Sequence, residues 1–188
     1  MNDERGIAIS TSQILYSSFI VPRSSLKIMA EYYEFTTVWR FDAPPEKVWE
    51  QIKDSGRWHE WWRGVLKVEQ LKAGDADGRG KIVRSTWKSA LPYTLAFDSE
   101  ITRIEHLKLI EARAFGELEG FGIWTLTAED ENTTRVRYDW KVRTTKSWMN
   151  LIAPLAKPFF RWNHNVIMNW GGAGLAKKLN CRLLESKE

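Results

Sequence analysis

Two segments bracket this chain and constrain its fold more than any other feature. The pattern of residues 35–49 predicts a strand that passes directly into a helix, and one long terminal helix is predicted from about Ser147 to Glu185. Between them, apolar residues alternate with a period of two and are separated by short turns, a pattern typical of antiparallel strands. A sheet crossed by one long helix tends to enclose a cavity, so the sequence predicts a ligand pocket.

The opening segment combines strand periodicity with signals for a helix start. Alternate residues from Phe35 to Phe41 share one apolar face. The following Asp42-Ala-Pro-Pro-Glu46 places an acidic residue, proline and an early glutamate where helix N-termini favour them. Gly56 interrupts this helix, and residues 57–63 predict a second short helix that ends at Gly64.

Six further strands are predicted after these two short helices, near residues 65–72, 79–88, 92–104, 107–116, 117–128 and 133–144. A turn near Glu131 places Trp124 opposite Tyr138 and Gly122 opposite Trp140. The inner face of this pair then carries large aromatic residues beside glycines, whereas the outer face is basic. This alternation is expected of a sheet that is wet on one side.

The terminal helix is expected to break or kink at Pro154 and Pro158. Apolar residues beyond the prolines recur at near-helical spacing and predict the stripe that faces the sheet: Phe159, Trp162, Val166, Trp170, Ala173, Leu179 and Leu183. Gly171, Gly172 and Gly174 each disfavour a helix by about 1 kcal/mol relative to alanine. We therefore expect them to allow close approach to the sheet or to a ligand, with Gly174 nearest the cavity.

Composition excludes several classes of function. The 11 tryptophans among 188 residues suggest a broad aromatic interior. The net charge is only +4, and the basic run from Arg135 to Lys146 has the alternate spacing of a solvated strand face, so nucleic-acid binding is not predicted. No apolar run approaches the length of a membrane span, so stable membrane insertion is not expected. The single Cys181 cannot form an internal disulfide, which favours a reducing cytoplasm.

Motifs for metal, nucleotide or covalent catalysis are also not found. The three histidines fall on different predicted elements, and no paired His or Cys spacing occurs. The sequence has neither a phosphate-binding loop nor a Gly-x-Ser-x-Gly elbow. We therefore expect no bound metal and no cofactor.

Residues 1–31 lack the extended core pattern of the rest of the chain and are predicted to be a disordered N-terminal extension. The ligand-binding domain is predicted over residues 32–188. The apolar stretch from Ile14 to Val21 follows the acidic Asp3 and Glu4 and has no small-residue cleavage site after it. It therefore does not fit a signal peptide.

Several motifs resemble the START-like superfamily, and within it the bacterial polyketide cyclase/dehydrase and lipid-transport branch. They are Phe41-Asp-Ala-Pro-Pro-Glu-Lys-Val-Trp49, Trp58-x-x-Trp61-Trp62, Gly116-x-Leu118-x-Gly120-x-Gly122-x-Trp124, Thr134-Arg-Val136, and His164-x-x-x-Met168 followed by Gly-Gly-Ala-Gly-Leu175. The resemblance covers about residues 33–184. It implies an α+β helix-grip fold, in which a seven-stranded curved antiparallel sheet surrounds a long C-terminal helix, with two short helices after the first strand.

The leading functional interpretation is a soluble cavity protein that binds a hydrophobic or aromatic small molecule, such as a lipid, a quinone or a polyketide-like compound. Its oligomeric state is left open. The predicted ligand-binding residues are Phe97, Leu118, Trp124, Leu126, Tyr138, Trp140, Val142, Val166, Trp170 and Gly174.

Two alternatives remain open from the sequence. One is a cyclase/dehydratase that acts on a polyketide-like substrate, with Tyr138 and His164 as acid–base groups. The other is an interaction module that docks a protein or membrane through the basic sheet face of residues 135–146, together with Phe121 and Ile123. The absence of a recognisable catalytic motif favours binding over catalysis.

Overall fold

The computed structural model describes residues 32–188, except for the side chains of residues 152–156, so the predictions for residues 1–31 lie outside the described part. Its elements are β1 (Tyr32–Phe41), α1 (Pro45–Lys53), a 3₁₀ helix (Ser55–Glu60), β2 (Val65–Lys72), β3 (Ile82–Lys88), β4 (Thr94–Glu105), β5 (Leu109–Gly116), β6 (Leu118–Asp130), β7 (Thr133–Thr144), α2 (Ser147–Leu179) and β8 (Leu183–Lys187).

The strands form one antiparallel sheet in the order β2-β3-β4-β5-β6-β7-β1-β8. The short helices lie between β1 and β2, and α2 follows β7. This arrangement confirms the predicted α+β helix-grip fold, with eight strands in the described part rather than seven.

The eighth strand arises because α2 is shorter than predicted. The helix ends at Leu179, where Asn180 adopts the left-handed conformation at φ 52° and ψ 46°. Asparagine tolerates this conformation better than most residues and is a common helix terminator. The chain then turns, and β8 pairs with the Val38–Phe41 half of β1. The prediction of a helix as far as Glu185 was therefore wrong at its end.

The predicted pairing of β6 with β7 is confirmed. Trp124 lies opposite Tyr138, and Gly122 lies opposite Trp140. Glycine is required at position 120, where φ is +152° and an added Cβ would lie 2.0 Å from the carbonyl oxygen of Lys141. The short turn after Asp130 keeps the two strands in this register.

The face of α2 that packs inward is not the predicted one. Phe159 and Trp162 are 61% and 51% exposed, whereas Phe160 and Met168 are buried. At 100° per residue, the inner face is rotated from the predicted stripe by roughly 150°. A break or a kink was predicted at the two prolines, and the helix is continuous through both, so it is not broken there. Apolar residues occur on both sides of α2, and spacing alone therefore could not identify the buried side.

The three glycines of α2 do permit close packing, but against tryptophans rather than beside the cavity. An added Cβ at Gly174 would lie 1.9 Å from the carbonyl oxygen of Trp61, and one at Gly171 would lie 2.4 Å from the Trp62 ring. Gly172 meets the indole of Trp39 in the same way, at 2.9 Å. The expected approach to the sheet is therefore found for Gly172 alone, since Trp39 belongs to β1, whereas Trp61 and Trp62 lie between the 3₁₀ helix and β2. The placement of Gly174 beside the cavity was wrong.

Candidate functional site: an aromatic cavity beneath the long helix

A cavity of about 160 Å³ lies between α2 and the sheet. Its lining comes from β1, β3 to β7, the 3₁₀ helix and the inner face of α2. Residues of both hydrophobic clusters contribute, including Trp62 and Met168 from the main core and Tyr33 and Phe160 from the smaller one. The cavity is therefore lined by residues of the domain's hydrophobic core.

Aromatic side chains form the walls of the cavity. Trp124 stacks on Tyr138 with ring centroids 4.0 Å apart, and Tyr138 stacks on Trp140 at 5.7 Å. The contacts continue from ring to ring until they close a circuit of six, composed of Trp124, Tyr138, Trp140, Phe97, Trp87 and Trp62. Such π surfaces favour flat, apolar ligands.

Small residues on the sheet leave the space that these rings surround. Ser85, Ser99, Ala112 and Gly122 line the cavity from β3, β4, β5 and β6. An added Cβ at Gly122 would lie 2.6 Å from the Tyr138 hydroxyl oxygen. The glycine thus lets Tyr138 lie flat over the sheet.

Two tryptophans after α1 close one end of the cavity. The Nε1 of Trp62 donates a hydrogen bond to the carbonyl oxygen of Ile167 at 2.8 Å. The Nε1 of Trp58 donates to the carbonyl oxygen of Ile52 at 3.1 Å. Both indoles are held by backbone acceptors and both line the cavity, so they form a fixed end wall.

The β3–β4 turn is fastened to α2 by Asn163. Its buried side-chain oxygen accepts hydrogen bonds from the Ser89 hydroxyl at 2.8 Å and from the backbone N–H of Ala90 at 2.7 Å. Tyr93, at the end of this turn, also lines the cavity. Sequence reasoning missed Asn163, because a lone asparagine within a predicted helix carries no signal that it faces inward.

Sequence reasoning also missed the contribution of β3. Ser85 and Trp87 line the cavity, and Val83, two residues before Ser85, is buried. The period of two would have identified this face, since these residues alternate with the outward Arg84. On α2, the residues Asn163, Ile167 and Met168 line the cavity in place of the predicted stripe.

His164 lies against β1 inside the cavity. Its ring stacks on Phe35 with centroids 4.1 Å apart, and its Nε2 lies 3.5 Å from the Thr37 hydroxyl. Burial in this apolar setting disfavours the charged ring and lowers the pKa of His164 to about 3. The imidazole is therefore neutral at physiological pH.

Tyr138 is also neutral at physiological pH. Burial raises the pKa of its phenol well above 10. None of the described residues that line the cavity is Asp, Glu, Lys or Arg. The cavity thus presents aromatic surfaces and a few neutral polar groups.

The structure separates the predicted site residues into two groups. Those that line the cavity are Phe97, Leu118, Trp124, Tyr138, Trp140, Val142 and His164. Leu126 instead packs within the main core. Val166, Trp170 and Gly174 are not among the lining residues, because α2 is rotated from its predicted orientation. Trp170 lies under the guanidinium of Arg63, which is 4.7 Å from the ring centroid.

The basic outer face of the sheet is largely neutralised by ion pairs. Arg137 forms two hydrogen bonds with Asp139, and Arg143 forms two with Glu119. Lys141 pairs with Glu34 on the neighbouring strand. This pairing is typical of a solvated sheet face.

Within residues 32–188, no group of three or more His, Cys, Asp or Glu residues is placed to hold a metal ion. No helix in the same part of the chain combines the length and apolar character needed to cross a bilayer. Cys181 is free, and partial burial, together with the nearby Asp42, raises the pKa of its thiol.

The sequence profile of the family described as polyketide cyclase / dehydrase and lipid transport matches residues 33–180. No curated protein matches the chain. Because the profile covers most of the 188 residues, the chain belongs to this family.

Solved structures share the fold at low sequence identity. The Zhui aromatase/cyclase from a Streptomyces species is 15% identical, with a TM-score of 0.66 over 80% of this chain and 94% of that one. A START superfamily protein from Mycobacterium smegmatis is 11% identical, with a TM-score of 0.65 over 78% and 97%. A protein from Thermus thermophilus is 19% identical, with a TM-score of 0.63 over 78% and 99%. These similarities show the helix-grip fold alone.

Proposed function

We propose that this member of the polyketide cyclase/dehydrase and lipid-transport family binds a neutral, flat aromatic molecule in the cavity of its 32–188 domain, without catalysing a reaction. The main observation that supports this proposal is that the cavity is uncharged and is surrounded by a circuit of six aromatic rings. Quinones and aromatic polyketide-like compounds have this chemistry. Neither a metal nor a cofactor is required for it.

Charge and size both narrow the ligand class. A carboxylate or ammonium group would enter without a charged partner among the described lining residues, which is strongly unfavourable in an apolar interior. The volume of about 160 Å³ resembles the cavity of about 150 Å³ that accommodates benzene in another protein. One or two fused rings therefore fit the space better than an extended lipid chain.

The acid–base properties of the site favour binding over cyclisation. General acid–base catalysis is most effective when the pKa of the catalytic group lies near the working pH. Burial moves the pKa of Tyr138 upward and that of His164 down to about 3, so both move away from neutrality. The two groups are suited to donate and accept hydrogen bonds rather than to exchange protons.

Binding can be tested with 1-naphthol and with 1-naphthoate, an anion of similar size. Quenching of tryptophan fluorescence should show saturable binding of 1-naphthol and at least tenfold weaker binding of the anion. Ala112→Leu should weaken 1-naphthol binding at least tenfold, because Ala112 lines the cavity. Arg113→Leu is the matched control. Arg113 follows Ala112 in β5, and its exposed side chain projects from the opposite face of the strand.

Equal binding of the two probes would contradict the proposal, as would equal effects of the two leucine substitutions. Turnover of a polyketide-like substrate that is lost in both Tyr138→Phe and His164→Gln would support the cyclase alternative instead. Native mass spectrometry of the purified chain would identify any ligand retained from the cell. We also propose a cytoplasmic location, because the single cysteine cannot form an internal disulfide.

A further inference from the structure

The outer face of the first half of α2 carries an exposed apolar stripe. Trp148, Leu151, Phe159 and Trp162 are 47%, 71%, 61% and 51% exposed. Their spacing places them on one side of the helix. A scattered exposed hydrophobic residue is ordinary, but a row of large ones along a single helix marks an interaction surface. We call these four residues the outer stripe.

The charges along α2 indicate the kind of partner that the outer stripe would bind. No Asp or Glu occurs between Asp139 and Glu185, whereas the exposed Arg161 directly precedes Trp162 in the same half of α2 as the outer stripe. A helix that combines large apolar side chains with basic residues and lacks acidic ones favours the interface of an anionic bilayer. A second copy of the chain suits the outer stripe less well, because α2 offers no carboxylate that could pair with Arg161 across such an interface.

The outer stripe lies directly over the cavity. Met149 and Phe160, on the inner side of the same turns, line the cavity. Trp148 contacts Tyr93, another lining residue, in an edge-to-face arrangement with ring centroids 5.8 Å apart. A surface that binds the outer stripe would therefore sit one helix thickness from the bound ligand.

We propose that the outer stripe docks reversibly in the headgroup region of an anionic bilayer and so places the cavity beside the membrane. The indole and phenyl rings enter the interface, and Arg161 contributes attraction to the anionic lipid. The docking is peripheral and leaves the domain fold unchanged. A cavity held in this position can exchange apolar ligands with the membrane.

The test is sedimentation of the full chain with vesicles of phosphatidylcholine alone or mixed in equal parts with phosphatidylglycerol. Binding should require phosphatidylglycerol and weaken as salt is added. Trp162→Ser and Phe159→Ser should each lower the partition coefficient about tenfold. Phe121→Ser is the matched control, because Phe121 is 50% exposed on the outer face of β6, and it should leave the partition coefficient unchanged.

Three kinds of result would overturn this inference. The first is no difference between the two kinds of vesicle, or equal losses with Phe121→Ser and Trp162→Ser. The second is a dimer in solution that Trp162→Ser dissociates, which would assign the outer stripe to a second copy. The third is vesicle binding only after residues 1–31 are removed, which would assign the stripe to that segment. The vesicles contain no aromatic ligand, so failure here leaves the proposed binding function intact.

Discussion

Acidification from pH 7 to pH 5 should destabilise this protein through His164. The folded structure holds the pKa of His164 at about 3, whereas an unfolded histidine has a pKa of about 6.5. Well above pH 6.5 the ring is neutral in both states and contributes no pH dependence. Below this pH the unfolded chain binds a proton that the folded protein does not, so stability falls until the pH approaches 3.

The size of the loss follows from the two pKa values. Proton binding to the unfolded histidine between pH 7 and pH 5 favours unfolding by about 2 kcal/mol, since each pH unit below 6.5 contributes about 1.4 kcal/mol. The folded ring stays neutral over this interval because it is enclosed by Phe35 and the apolar cavity. The loss is a substantial part of the free energy of unfolding of a typical domain.

Urea denaturation at both pH values, with the wild-type chain and with His164→Gln, measures this effect. The wild type should lose about 2 kcal/mol more than the variant between pH 7 and pH 5. Other titrating groups are present in both proteins, so their contribution cancels in the comparison. Equal losses in the two proteins would refute the reasoning and would show that His164 is hydrated in solution.

Three further outcomes are expected. Gly174→Ala should destabilise the fold by about 3 kcal/mol or more, because its Cβ would overlap the Trp61 carbonyl oxygen, and a melting temperature equal to that of the wild type would contradict this. Asn163→Ala should lower the free energy of unfolding, measured by urea denaturation, by about 1–3 kcal/mol, because it leaves the N–H of Ala90 without its side-chain acceptor. An unchanged urea midpoint would show that other contacts hold the β3–β4 turn. Tyr138→Phe should bind naphthalene with an affinity within about twofold of the wild type, since the stacked ring remains. A much larger loss of affinity in calorimetry would assign the main binding contact to the Tyr138 hydroxyl.

Local sequence patterns were sufficient for most of the architecture. The period of two, the turn residues and the proline-rich start of α1 are signals that depend on neighbours in the chain. The pairing of Trp124 with Tyr138 followed from counting outward from one turn, and the structure has the same register. The smallness of Gly171, Gly172 and Gly174 likewise predicted that another group approaches α2 closely.

The sheet side of the cavity was more predictable than the helix side. Successive side chains of a strand point to opposite faces of the sheet, so only two faces can point inward, and one buried residue identifies which of them does. The predicted lining residues of β4, β6 and β7 therefore line the cavity, apart from Leu126. Leu126 shares the face of Trp124 but lies farther along β6, where the sheet packs against the core.

The tertiary structure alone decided the rotation of α2. Both sides of the helix are apolar in sequence, and burial of either side would satisfy the hydrophobic pattern. The choice depends on the tryptophans that meet its glycines and on the acceptor that Asn163 provides for the β3–β4 turn. These contacts join residues far apart in the chain, so no local pattern contains them.

The sequence by itself therefore determined the order of the elements, the strand faces and the aromatic character of the interior, because each depends on short-range periodicity. The tertiary structure decided that the Phe159–Trp162 side of α2 faces outward and that β8 joins the edge of β1. It also decided that His164 is neutral. These features arise from packing between distant segments, which sets burial and, through burial, the charge state of the site.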